Sequence, residues 1–364
     1  MKNKAICFFN STKAWGGGEK WHYEISSGLF SKGYSTLVIT NKRSELFNRV
    51  KHTGQKVYPV KISNLSFLNP FKILLLRKLF KKEKIRIIII NLSADLKVAG
   101  IAAKLAGINR IIYRRGSAIP IKNRWLNRFI FKNITTDVIA NSEDTKRTIL
   151  QNNPNLFPNE KIRVIYNGIN IRNYDLNIKE KQYKRNNDEI IIGNIGRLVH
   201  QKGQKILIDI ASELSNNNIN FKLLIGGDGP LKKELVSYAE KLNIAEKIMF
   251  LGFIEEISFF MNSIDIFVLT SLWEGFGYVI TEAMLYRKPV VAFNISSNPE
   301  IIEDSKTGFL VKFNNIHDFI EKLSILIKDK NLRSEFGEQG HINVKKLFDI
   351  DRAIKEVENF LDIH

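Results

Sequence analysis

Glu274 and Glu282 stand eight residues apart in the segment Leu272-Trp-Glu-Gly-Phe-Gly-Tyr-Val-Ile-Thr-Glu282. Two carboxylates flank a glycine-broken loop there, and Gly275 and Gly277 let backbone N–H groups come close to a ligand. Residues 278–286 read as a helix, with apolar positions at Val279, Ile280, Ala283 and Met284. The N-terminus of such a helix favours an anion. Glu282 lies more than a turn inside and can reach a neutral polyol such as ribose. Glu274 precedes the helix and can face a hexose. The arrangement suits a sugar nucleotide. The blander alternative, two solvated glutamates at a loop–helix junction, is outweighed because other motifs agree with the first reading.

Gly196-Arg-Leu-Val-His-Gln-Lys202-Gly203 follows an apolar run at 190–194. Arg197 offers a bidentate fork and Lys202 a point charge to a diphosphate. A nucleoside diphosphate gains negative charge as its bond to the sugar breaks, and two fixed cations stabilise that charge. They could do the work of a metal ion. No Asp-x-Asp metal pair stands beside these motifs, so neither metal nor other cofactor is expected. Ala14-Trp-Gly16-Gly17-Gly18-Glu19-Lys20 follows the first apolar run and can admit phosphate or sugar. It matches neither the G-x-x-x-x-G-K-[ST] nor the G-x-G-x-x-G pattern.

Gly227-Asp-Gly-Pro230 reads as a close structural turn, with Pro230 opening a helix. Gly252-Phe253-Ile254 could present backbone to a flat base, with plain loop packing an equal alternative. Arg114-Arg115-Gly116 suits a phosphate, with solvated surface charge equally open. Asn141-Ser142 and Asn167-Gly168 read as turn formers.

The elements that position these groups alternate in two series. Strand-like runs fall at 5–9, 36–40, 85–91, 110–113, 138–141 and 163–166, then at 190–194, 222–225, 248–251, 266–269, 289–293 and 308–311. Helical patterns separate most of them, which predicts an α/β chain with doubly wound parallel sheets. The runs are almost continuously apolar, as in strands buried on both faces. The polar stretch 170–189 reads as a linker between domains 1–169 and 190–348. A helical pattern at 349–361 closes the chain. Ligands in such sheets bind beyond the carboxyl ends of the strands, so the chemistry is expected in a cleft between the domains.

Composition narrows the partners. The 364 residues carry a formal net charge of +19, split as +22 over residues 1–170 and −3 over the remainder. The basic half should be drawn to anionic lipid, a phosphate-bearing acceptor or nucleic acid. Residues 71–80 and 124–131 form basic amphipathic patterns that can lie on an anionic membrane, or pack inward with lysine stems snorkelling. The single cysteine, Cys7, sits in an apolar run and reads as a small buried hydrophobe. Lys2 and Lys4 precede too short an apolar run for a signal peptide, and no stretch approaches the ~20 apolar residues of a spanning helix. A cytoplasmic location is expected, with the inner face of the plasma membrane as a candidate surface. The six histidines show no metal-ligand spacing, and no Ser/His/Asp or Cys/His nucleophile signature is present.

Taken together, these motifs resemble the retaining family-4 glycosyltransferases, also termed glycosyl transferases group 1, with the two-domain GT-B fold. Glu274 and Glu282 match the family's E-x7-E element, Gly196-Arg197-Leu198 with Lys202-Gly203 its G-R-L-x-x-x-K-G element, and Gly16-Gly17-Gly18-Glu19 its N-terminal glycine loop. Gly227-Asp-Gly-Pro230, residues 164–169, 298–302 and 307–311 also correspond, so the match runs nearly end to end. The resemblance implies that Arg197 and Lys202 hold the donor diphosphate, Glu282 the ribose and Glu274 the sugar hydroxyls. It implies that the amides of Gly277, Tyr278 and Val279 meet sugar and diphosphate, Ile254 the base, and Gly17 and Gly18 the diphosphate from the other domain. Glu19 and Arg115 are assigned to the acceptor side. It also implies retention at the anomeric carbon, usually without metal, and a final helix (349–364 at its widest) returning to the first domain. Many relatives carry a histidine where Arg114-Arg115-Gly116 stands here, so that histidine's role does not transfer.

The function implied is transfer of a sugar from a nucleotide donor, UDP-linked by expectation, to a glycan or lipid-linked acceptor in cell-surface polysaccharide or lipopolysaccharide synthesis. The alternatives are a sugar-nucleotide epimerase, a glycogen-type synthase, or a non-catalytic sugar-nucleotide-binding protein. Intact Arg197, Lys202, Glu274 and Glu282 weigh against the last. Nucleic-acid binding has charge alone in its favour, with no recognition motif.

Overall fold

A computed structural model describes residues 5–174, 176, 180–186 and 188–362. The signal-peptide reading of Lys2 and Lys4, part of the linker reading at 170–189 and the last two residues lie outside the described residues. The chain divides into two compact units, Met1–Gly168 with Ile350–His364, and Ile169–Asp349.

The first unit is built on β1 (Ala5–Asn10), β2 (Thr36–Thr40), β3 (Lys56–Pro59), β4 (Ile85–Ile90), β5 (Arg110–Arg115), β6 (Asp137–Ala140) and β7 (Ile162–Val164). All pair in parallel, in the order β3-β2-β1-β4-β5-β6-β7. The apolar runs feed two cores, because successive side chains leave opposite faces of a strand. Cys7, Phe9, Ile88, Ile90, Ile111 and Val138 enter one core, where burial pushes the Cys7 thiol pKa up. Ile6, Phe8, Ile87, Ile89, Ile112 and Ile139 enter the other. Helices Gly17–Ser31 and Ile350–Leu361 cover that second face through Trp21, Ile25, Ala353, Ile354 and Val357. Glu358 anchors the last helix by accepting bonds from Lys32 Nζ and Tyr34 Oη, each at 2.6 Å.

β3 is absent from the sequence reading. It is an edge strand with no fully buried residue, so it lacks the apolar run that marks its neighbours.

The second unit holds β8 (Ile190–Ile195), β9 (Phe221–Gly226), β10 (Ile248–Gly252), β11 (Ile266–Leu269), β12 (Val290–Phe293) and β13 (Gly308–Val311), in the parallel order β10-β9-β8-β11-β12-β13. Its core gathers Ile192, Leu223, Ile225, Val268, Val291 and Phe293 from the sheet with Leu207, Ala211, Phe319 and Leu323 from helices. Strand order reverses between β1 and β4 in the first sheet and between β8 and β11 in the second. Connections diverge to opposite faces at such a point and leave a crevice beyond the strand ends.

Candidate active site

The crevice of the second unit lies where the loops after β8 and β11 meet. Both carry residues singled out by sequence. Lys202 Nζ donates to Glu274 Oε1 at 2.6 Å, and Ser271 Oγ donates to the same oxygen at 2.6 Å. The two loops are bonded along their length. The amide of Leu272 donates to the Gln201 carbonyl at 2.8 Å, Gln201 Nε2 to the Trp273 carbonyl at 2.9 Å, and Thr270 Oγ1 to the Gly203 carbonyl at 3.0 Å. Gly203 makes this closeness feasible. It is left-handed, with φ +62°, and a Cβ there would lie 2.1 Å from the Thr270 carbonyl oxygen. It caps helix Gln204–Asn216 after a single 3-10 turn at His200–Lys202.

The neighbouring loops complete the wall. The Leu198 amide donates to the Asp228 carbonyl at 2.9 Å, Gly196 to Gly226 at 3.0 Å, and Gly227 to Gly252 at 2.6 Å. Arg197 extends an exposed side chain from this network, while Gln204 Nε2 holds its carbonyl at 3.1 Å. Ile254 is half-buried against Gly226. Gly277 caps helix Tyr278–Leu285, and the Ile280 amide donates to the Gly277 carbonyl at 2.9 Å. Glu282 is 8% exposed and accepts from Tyr174 Oη at 2.7 Å. Pro230 does not open a helix as expected: it sits in a turn, and helix Lys232–Lys241 starts two residues later.

Seven of the predicted groups, Arg197, Lys202, Ile254, Glu274, Gly277, Tyr278 and Val279, thus occupy loops or a helix start at one end of one sheet. Glu282 follows on the same helix. Ser271 and Gln201 were not foreseen. A serine three residues before a glutamate carries no signal of its own.

In the first unit, Gly17 and Gly18 open helix Gly17–Ser31, and a Cβ on Gly18 would lie 2.7 Å from Asn91 Nδ2. Gly18 thus packs closely against the Asn91 side chain that follows β4. Glu19 is 8% exposed and accepts from Asn10 Nδ2 at 2.8 Å. Beside it, Asp95 is fully buried and accepts from the Ser11 amide at 2.8 Å and Ser11 Oγ at 2.5 Å. Burial lifts the Asp95 pKa to about 6, with the Ser11 bonds opposing and the Glu19 charge adding to the rise.

Arg114 and Arg115 part company, as alternating strand residues must. Arg114 is 1% exposed, which removes the surface-charge alternative for it. It donates to Asn91 Oδ1 at 3.1 Å and Asn167 Oδ1 at 2.9 Å, and lies over the Trp21 ring at 5.0 Å. Asn167, read as a turn former, is thus also a guanidinium acceptor. Burial and the Arg114 charge push the nearby His22 pKa down to about 3, so its imidazole is neutral. Arg115 turns the other way, donating to Tyr113 Oη at 3.2 Å and the Ile119 carbonyl at 2.6 Å. Glu19 and Arg115 therefore have different partners. Among the described residues, no three His, Cys, Asp or Glu side chains gather as a metal site, and no helix is long and apolar enough to cross a membrane.

Known proteins share this architecture. The family model for Glycosyltransferase Family 4 matches residues 15–173, and that for Glycosyl transferases group 1 matches residues 176–342. The UDP-Gal:alpha-D-GlcNAc-diphosphoundecaprenol alpha-1,3-galactosyltransferase of Escherichia coli is 30% identical over 295 residues, covering 75% of each chain. The capsular polysaccharide biosynthesis glycosyltransferase CapM of Staphylococcus aureus is 29% identical over 233 residues, 62% of this chain and 60% of that one. The crystal structure of Anabaena HepE in complex with UDP aligns over 98% of this chain and 99% of its own, with a TM-score of 0.83 and 22% identity. Two reversed-order parallel sheets, family matches in both halves and a 30% identical relative over three quarters of its length make this chain a family-4 glycosyltransferase with the GT-B fold.

Proposed function

We propose that the enzyme transfers a sugar from a UDP-sugar, with retention at the anomeric carbon and without a metal, to a glycan acceptor carried on a lipid diphosphate. The observation that carries this reading is the Lys202–Glu274 pair at the reversal point of the second sheet. Lys202 and Arg197 take the donor diphosphate, with the first-turn amides at Tyr278 and Val279 beside it. Glu274 already spends one oxygen on Lys202 and Ser271 and turns the other to the sugar hydroxyls. Glu282, shared with Tyr174, takes the ribose, and Ile254 lies against the base. In the reaction, the bond from the anomeric carbon to the β-phosphate oxygen breaks. The acceptor oxygen bonds that carbon on the same face, and the departing phosphate oxygen receives the acceptor's proton. Arg197 and Lys202 stabilise the charge that develops on the leaving diphosphate.

The lipid-linked acceptor is supported by the E. coli relative, whose substrate is such a molecule, and polysaccharide synthesis by CapM. A membrane location is supported by the first unit's charge and by exposed Leu65, Leu68, Phe71, Leu74 and Leu75 beside Lys78, Lys81 and Lys82. A panel of nucleotide sugars tests the donor. One UDP-sugar should raise the melting temperature, a ligand at 100 times its Kd being worth about 2.7 kcal/mol, and should support transfer in the presence of EDTA. Absence of any UDP-sugar effect, or wild-type turnover in Lys202→Ala, would refute the proposal.

A further inference from the structure

A second cavity lies wholly in the first unit, at the carboxyl end of β5. Its volume is about 240 Å³, room for a phosphate group with several waters at ~30 Å³ each. Four cations line it: Lys97, Arg115, Lys122 and Arg124. No carboxylate lines it. Among the described residues none of the four lies within ion-pair distance of an acid. Four like charges around one hollow repel each other, and an anion would relieve that repulsion. Arg115 is half-buried and held in place by Tyr113 Oη and the Ile119 carbonyl, while its Nε, buried, has no hydrogen-bond partner among the described residues. Lys97 is half-buried and steadied by the Phe67 ring at 5.9 Å.

Ser93, Tyr113 and Asn127 share the rest of the lining with apolar side chains. Leu96, Ile130 and Phe131 form its floor, and Trp125 and Phe129, 69% and 46% exposed, stand on the helix Trp125–Asn133 that walls it. A cationic hollow on an apolar surface matches an amphiphile whose head is a phosphate and whose tail is hydrocarbon.

We propose that this cavity binds the diphosphate of the lipid-linked acceptor, with the isoprenoid chain passing over Trp125 and Phe129. This rests on the acceptor reading above, and it assigns Arg115, Lys97, Lys122 and Arg124 to holding the acceptor's head rather than to the donor.

Binding of farnesyl diphosphate to the full chain, measured by calorimetry with UDP saturating the donor site, tests the assignment. Wild type should bind it, and Lys122→Ala/Arg124→Ala should weaken binding at least tenfold while UDP affinity stays at the wild-type value. Both residues are exposed, so the double variant keeps its fold; Arg115→Gln should act in the same direction. Equal affinity in wild type and the double variant would overturn the proposal. Inorganic pyrophosphate bound as tightly as farnesyl diphosphate would overturn the lipid-borne ligand. In transfer assays the double variant should raise KM for a prenyl-diphosphate-linked sugar at least tenfold with kcat little changed, and leave KM for a neutral alkyl glycoside alone. Equal effects on the two acceptors would also overturn it. Failure of UDP itself to bind would instead refute the donor reading and leave the cavity's assignment to stand on farnesyl diphosphate alone.

Discussion

Lys202 and Glu274 hold each other at 2.6 Å with side chains only 15% and 7% exposed. Their removal is therefore not symmetrical. Lys202→Ala leaves a carboxylate with Ser271 as its remaining bonded partner in a nearly closed site, and should cost up to about 3 kcal/mol of stability as well as activity. Glu274→Gln keeps an acceptor for Ser271 and Lys202 and should be much closer to wild type in urea denaturation while losing turnover by 10²-fold or more. Lys202→Met combined with Glu274→Gln should recover stability without recovering transfer; a stable, active double variant would show the pair to be scaffold alone. Asp95 gives a residue-scale pH prediction. Its folded pKa, about 6, stands above its ordinary value of 3.8. Between these values the unfolded chain has released a proton that the folded chain keeps. Stability should therefore fall as pH rises through that window and level off above it. Asp95→Asn should remove roughly 2 kcal/mol of the difference between pH 4 and pH 7. Identical profiles for wild type and variant would remove the assignment. Residue type and spacing pointed to Lys202 and Glu274, but not to their facing each other. Asp95 left no trace, since a lone aspartate in an apolar stretch has no spacing to read.

At the scale of elements, the decisive feature is a pair of loops fastened together at a sheet's reversal point. Gly203 tests it. A side chain there meets both a left-handed backbone and the Thr270 carbonyl, so Gly203→Ala should cost about 1–3 kcal/mol and weaken UDP-sugar affinity through Lys202, without touching the ligand. Unchanged affinity would show that the loop is held by other bonds. The strands were legible wherever both faces are buried, because an apolar run of five or six residues allows few alternatives. β3 was not, since an edge strand has no such requirement. Pro230 was misplaced because a fixed φ suits a turn as well as a first helical residue. The tail helix was legible from the period of Ile350, Ala353, Ile354 and Val357, all of them buried.

For the molecule as a whole, charge is the informative quantity. The surplus of +22 lies in residues 1–170, beside exposed leucines and Phe71 on helix Pro70–Lys82. The chain should sediment with vesicles containing phosphatidylglycerol, release as salt shortens the Debye length from ~10 Å at 0.1 M to ~3 Å at 1 M, and ignore neutral vesicles. Leu74→Glu/Leu75→Glu should weaken the binding with no change in UDP affinity; binding insensitive to both salt and this variant would count against a membrane face. By itself the sequence determined the class of fold, the two series of strands, the glycine-bearing loops that follow them and the uneven charge. Each of these follows from local rules of periodicity, turn chemistry and composition. Tertiary structure alone decided that Lys202 meets Glu274, that Arg114 is buried while Arg115 turns into a cationic hollow, and that Lys97 joins Lys122 and Arg124 there. Such meetings depend on strand order and register, which bring together side chains far apart along the chain.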